Sequence, residues 1–112
     1  MSNKNIEVVE KYLLALSEGD LSVSPIADNI RFDNPISGAA EGKEAYYAFL
    51  TGFLTAISEI KIIRHISEGD LVATEWEVDG VFGVIPVMEM YRIENGLIVE
   101  MRSYFDPRPV FG

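Results

Sequence analysis

Cysteine is missing from this 112-residue chain. That absence excludes a disulfide framework, a thiolate zinc site and a cysteine nucleophile, and it fits a reducing compartment, with the cytoplasm as the default. Histidine occurs once, as His65; a lone histidine is more often a surface or hydrogen-bonded residue than a catalyst, and both readings stay open. Basic residues are scarce. Nine Lys and Arg stand against 18 Asp and Glu, a net charge of −9, and no basic run offsets it, so a phosphate backbone would be repelled and nucleic acid is not an expected partner. No stretch approaches the roughly 20 consecutive apolar residues of a membrane span, and the first twenty residues lack the continuous apolar segment of a secretory signal. The ligand that such an acidic surface hinders least is a small, mostly apolar molecule.

The 48% of hydrophobic residues is enough for one core without covalent reinforcement, so residues 1–112 are expected to form a single domain. Ile6, Val9, Leu13 and Leu16 recur at helical spacing and the run stops at Gly19-Asp20, which predicts an amphipathic helix with Tyr12 at the edge of its apolar stripe. After a short helical stretch interrupted by Pro25, Ile30 to Pro35 alternates as a strand; parity sets Asn34 on the side of Ile30 and Phe32, and Asp33 on the other. From Gly42 a second helix carries two adjacent apolar stripes, Ala45-Phe49-Phe53-Ala56 and Tyr46-Leu50-Leu54-Ile57, so wide that it should lie mostly buried.

The second half predicts four strands, Glu59 to Ser67, Leu71 to Asp79, Val84 to Glu94 and Leu97 to Asp106, joined by hairpin turns at Glu68-Gly69-Asp70, Gly80 and Asn95-Gly96. Helices first and antiparallel strands afterwards describe an α+β domain. Both faces of the strand from Val84 are largely apolar. One should face the core, and the other calls for a second cover, which in so small a chain predicts a homodimer through the outer sheet face.

Glu89 sits in the apolar row Ile85, Val87, Glu89, Tyr91, Ile93. If that row faces inward, burial should raise the carboxyl pKa and leave a neutral acid able to donate a hydrogen bond into a pocket. The alternative is a Glu89 that is outward at a wet subunit edge or bonded to Arg64 or Arg92. On the last strand Leu97, Val99, Met101, Ser103 and Phe105 share an uncharged face, expected inward, as are Val72, Thr74, Trp76 and Val78 on the strand from Leu71. Glu75, Glu77 and Asp79 then form a solvated face, and no metal site is expected from them.

The stretches Tyr12 to Asp20, Phe32-Asp33-Asn34-Pro35 followed by Gly42 and a helix, and Met90 to Gly96 leading to Met101-Arg102-Ser103-Tyr104-Phe105 together resemble the NTF2-like cone fold, in particular its ketosteroid-isomerase-like and SnoaL-like (polyketide cyclase) branches. The resemblance spans nearly the whole chain. It implies a strongly bent mixed or antiparallel sheet with the N-terminal helices on its concave face, and cofactor-free isomerase or cyclase chemistry on a small hydrophobic molecule. By position it implies that Tyr12 and Glu89 are oxyanion donors, that Asn34 stands where the general base would be, and that Phe32, Trp76, Met101, Ser103 and Phe105 contact the ligand. Asparagine cannot accept and return a proton at neutral pH, so a non-catalytic binding or dimerisation domain is the rival reading. The ending Arg102-Ser103-Tyr104-Phe105-Asp106 is also similar to the limonene-epoxide-hydrolase branch. That branch needs inward acids where this chain has Ser103, Thr74, Trp76 and Val78, so its mechanism is expected to be absent. SnoaL-like cyclases use a pocket His and Asp, and neither His65 nor Asp106 is expected inward. The tail, Pro107 to Gly112, either caps the pocket or trails over the dimer edge.

Overall fold

The computed structural model describes residues 3–111; Gly112 of the tail lies outside them. Helix α1, Lys4–Glu18, starts where the Asn3 side chain accepts hydrogen bonds from the Asn5 and Ile6 amides at 3.0 and 3.2 Å, and ends at Gly19, whose φ of 71° suits glycine. Its buried residues are Val9, Tyr12, Leu13, Ala15 and Leu16. Tyr12 is therefore central rather than marginal: it supplies the i+3 position of a stripe that begins at Val9, while Ile6 is only half-buried.

The short helical stretch is a 3-10 turn, Leu21–Val23, capped by Asp20. Strand β1, Ile26–Asp33, begins directly after Pro25 and is longer than the alternation alone indicated; β2 is the two-residue pairing Ala40–Glu41. Helix α2, Lys43–Leu54, is shorter and less buried than expected. Only Tyr46 and Leu50 are fully enclosed, Ala45 is exposed, Ala56 lies beyond its end and Ile57 already belongs to β3. The second apolar stripe, Phe49 and Phe53, faces a cavity instead of a sheet, which is why so much apolar surface on one helix did not translate into burial.

Strands β3 (Ile57–Glu68), β4 (Leu71–Gly80), β5 (Gly83–Glu94) and β6 (Leu97–Tyr104) form an antiparallel meander, and β1 joins it parallel to β6, giving the order β2-β1-β6-β5-β4-β3. The Asn95-Gly96 turn has φ of 54° and 77°, the signs a type I′ hairpin requires. Register shifts insert Ser58 and Ile63 into β3 and Val99 into β6. Such bulges sharpen twist and bend the strands that carry them, and the sheet curves around α1 as the NTF2-like architecture requires. The Val99 bulge also corrects the expected face of β6. Before it, Ile98 is buried and Leu97 is exposed; after it, Met101 and Ser103 resume the inward side, while Val99 itself is half-buried.

A candidate site in the hollow of the sheet

Strand β5 alternates cleanly. Ile85, Val87, Glu89, Tyr91 and Ile93 are buried, whereas Val84, Met88 and Met90 are exposed. Glu89 is therefore an inward carboxyl, 4% exposed, and neither arginine named as an alternative partner reaches it: Arg64 pairs with Glu75 at 2.8 Å and Arg92 with Asp70 at 2.7 Å.

Between the sheet, α1 and α2 lies a partly open cavity, the concave and mostly apolar form usual for small-molecule sites. Its walls are overwhelmingly apolar, and Glu89 is the single carboxyl among the described residues that line it. Tyr12, Phe32, Asn34, Trp76, Met101, Ser103 and Phe105, all assigned to a site from the sequence, line it as well.

The polar groups fall into two hydrogen-bonded sets. In the first, Tyr91 Oη donates to Glu89 Oε1 and Ser103 Oγ donates to Oε2. Burial raises the Glu89 pKa; the hydrogen bonds from Ser103 and Tyr91 pull it back without cancelling the rise. The neutral acid has one O–H of its own, so in that form one of the two hydroxyls becomes an acceptor and frees its proton for another partner. In the second set, Tyr12 Oη shares a hydrogen bond with Tyr46 Oη, which donates to Met101 Sδ at 3.1 Å. Burial, and after it neighbouring acidic groups, hold both phenols well above their ordinary pKa; they stay neutral and act by hydrogen bonding alone.

Tyr12 and Glu89 do not hydrogen-bond to each other among the described residues. Each has its own tyrosine partner, Tyr46 or Tyr91, and neither partner was assigned to the site from the sequence. Tyr91 was readable in principle, since it follows Glu89 by two residues on the same face. Tyr46 carried no signal beyond membership of an apolar helical stripe.

Asn34 is buried just past the end of β1. Its side-chain oxygen accepts from the amides of Ile36 and Ser37 at 2.9 and 2.8 Å, which fixes the amide orientation and leaves its NH2 as the end without an acceptor among the described residues. His65 is on β3, away from the cavity lining: Nδ1 bonds Thr74 Oγ1 at 2.7 Å and Nε2 lies 3.3 Å from Glu10. Asp106 also stands off the lining, held by the Arg108 guanidinium, whose hydrogen bonds lower the carboxyl pKa. The tail turns back as the short helix α3, Arg108–Phe111, and Val110 contributes to the cavity wall. Among the described residues no helix is long and apolar enough to cross a membrane.

No curated protein matches the sequence significantly. Solved structures do match the fold. An NTF2-like protein of unknown function from Cytophaga hutchinsonii superposes with a TM-score of 0.82 at 23% identity, covering 100% of this chain and 98% of its own. A protein from Jannaschia sp. CCS1, described as a SnoaL-like polyketide cyclase, gives 0.82 at 19% identity, covering 96% and 89%. An epoxide hydrolase of limonene-epoxide-hydrolase type from Mycobacterium tuberculosis gives 0.77 at 23%, covering 96% and 86%. At such identities the likeness extends to the fold. The model of the SnoaL-like domain matches residues 9–101, and with that match spanning most of the chain, the protein belongs to the SnoaL-like domain family.

Proposed function

We propose that the cavity binds a small, mostly apolar molecule by a carbonyl or enolate oxygen, and that the reaction served is proton transfer or cyclisation next to that oxygen, without a cofactor. The observation that carries this reading is Glu89, a buried carboxyl with a raised pKa in an otherwise apolar cavity. With Glu89 neutral, one O–H of the Glu89, Tyr91 and Ser103 set is left over to donate toward negative charge as it develops on the ligand, in largely apolar surroundings. Tyr12 offers a second O–H from the helix side once Tyr46 turns its own O–H from Met101 Sδ to the Tyr12 oxygen. Asn34 orients the substrate or a water, and Phe32, Trp76, Met101 and Phe105 enclose the apolar body. The base that removes a carbon-bound proton is not Asn34.

The test is binding of para-substituted phenols, whose oxygen mimics an enolate. Saturable binding that strengthens as the phenol becomes more acidic is expected; no saturable binding by any member of the series would end the proposal. A second reading, a ligand-binding domain without catalysis, is favoured by Asn34, whose side-chain oxygen is already occupied by two amides. In that case phenols bind but no carbon acid exchanges deuterium in the presence of the protein.

The partner we propose for the outer sheet face is a second copy of this chain. Met88, Met90 and Tyr104 lie exposed in adjoining register on β5 and β6, extended by Ile66 and Val84 at the periphery, and a self-complementary sheet face is a common dimer interface. Met90→Asp is expected to give a folded monomer by sedimentation, and a wild-type protein that is already monomeric at high micromolar concentration contradicts the assignment. We also assign the protein to the cytoplasm, which cell fractionation checks.

A further inference from the structure

Trp76 is the one tryptophan of the chain. It stands on the inward face of β4, 6% exposed, and lines the cavity. Its Nε1 is the one buried side-chain nitrogen or oxygen among the described residues that has no hydrogen-bond partner. An indole N–H only donates; it cannot turn round and accept, nor give up its proton at ordinary pH. A buried donor of this kind carries a desolvation penalty that no fully formed hydrogen bond in the protein offsets, and such orphans call for a specific explanation.

The surroundings narrow that explanation. Both carboxyl oxygens of Glu89 already accept, from Tyr91 and Ser103. Tyr12 and Tyr46 satisfy each other, and the Asn34 oxygen is taken by two amides. Trp76 nonetheless points toward Glu89 and Tyr91, near enough to favour negative charge on either through a long hydrogen bond but outside the geometry of a formed one. The unfilled donor is thus beside Glu89 and inside the cavity.

We propose that Trp76 Nε1–H is a ligand-binding donor that holds the same oxygen as Glu89, so that the bound molecule must present there an atom able to accept two hydrogen bonds at once. This rests on the function proposed above and sharpens its ligand class. Ketones, enolates and phenolates qualify, because their oxygen has lone pairs to spare. Amines and pure hydrocarbons of the same shape do not. Trp76 would then set specificity for an oxygen ligand, beyond shaping the wall.

With a single tryptophan, the indole Nε1–H gives one cross-peak in a 15N-labelled sample of the whole protein. Saturating 4-fluorophenol is expected to move that proton downfield, while toluene, of similar shape but without an acceptor, shifts it little. Trp76→Phe is expected to weaken 4-fluorophenol about tenfold to a hundredfold and to leave toluene affinity nearly unchanged. An indole resonance equally indifferent to both probes, with 4-fluorophenol still bound and still sensitive to Glu89→Leu, would overturn the role of Trp76 and leave the proposed function standing. Failure of every phenol to bind would remove both. The resonance is read on the wild-type protein, so the test holds even if Trp76→Phe does not fold.

Discussion

Replacing Glu89 with leucine is expected to weaken phenolate binding by roughly 10²–10³-fold, the effect of deleting one donor from an oxyanion site, and to abolish any associated turnover. Glu89→Gln should fall between, since its NH2 still donates and its oxygen still accepts from Tyr91. The same pair separates function from stability. Burial raises the Glu89 pKa in the folded protein, so between the ordinary value of about 4.3 and the raised one the native state binds more protons than the unfolded state. Stability contributed by Glu89 is then complete below the ordinary pKa and is lost as pH rises through the raised one. Denaturant titrations across that window should show wild-type stability falling with pH by more than that of Glu89→Gln, which keeps the hydrogen bonds but cannot ionise. Equal slopes would mean that Glu89 is not the buried acid described here.

The second large effect concerns the cavity wall at the end of β4. Gly80 ends β4 where the β4–β5 hairpin tip crosses the link between α2 and β3. A Cβ on Gly80 would stand 2.0 Å from the Ala56 carbonyl oxygen, 3.0 Å from its carbon and 3.3 Å from Ile57 Cα. All three are backbone atoms, and the same Ala56 oxygen accepts a 3.0 Å hydrogen bond from the Val81 amide, so the neighbour cannot swing aside. Gly80→Ala is expected to destabilise the fold by about 3 kcal/mol or more and to lose ligand with it, because Ala56, Ile57, Gly80 and Phe82 all line the cavity. Gly52→Ala is the control. That glycine lies inside α2 with open space around its Cβ position and an ordinary φ, so the same chemical change should stabilise by roughly 0.5–1 kcal/mol. Urea midpoints that moved in the same direction for both would contradict the packing described around Gly80.

What the residue order revealed, and what it hid, follows from how local each feature is. The Asn95-Gly96 turn, the cap at Gly19 and the inward row of β5 depend on neighbours within a few residues, and all were readable. The Val99 bulge depends on how β6 pairs with Arg92 and Ile93, and without that register the parity of Leu97 and Ile98 came out reversed. Burial of α2 was overstated because periodicity reports apolar surface and does not distinguish a packed wall from a hollow. The hydroxyl partners were hidden for the same reason: Tyr46 meets Tyr12 from 34 residues away, and Ser103 meets Glu89 from 14. Trp76 was placed on the correct face, but an unpaired N–H is a property of everything around it and of no single residue.

Titration of the Glu89 side-chain carboxyl by 13C NMR, in the free protein and with 4-fluorophenol bound, tests the central claim most directly. A midpoint clearly above that of an ordinary glutamate in the free protein, with the neutral form retained to higher pH when the phenolate is bound, is the expected result. A carboxyl that titrates at or below the ordinary value and is indifferent to the phenolate would contradict it.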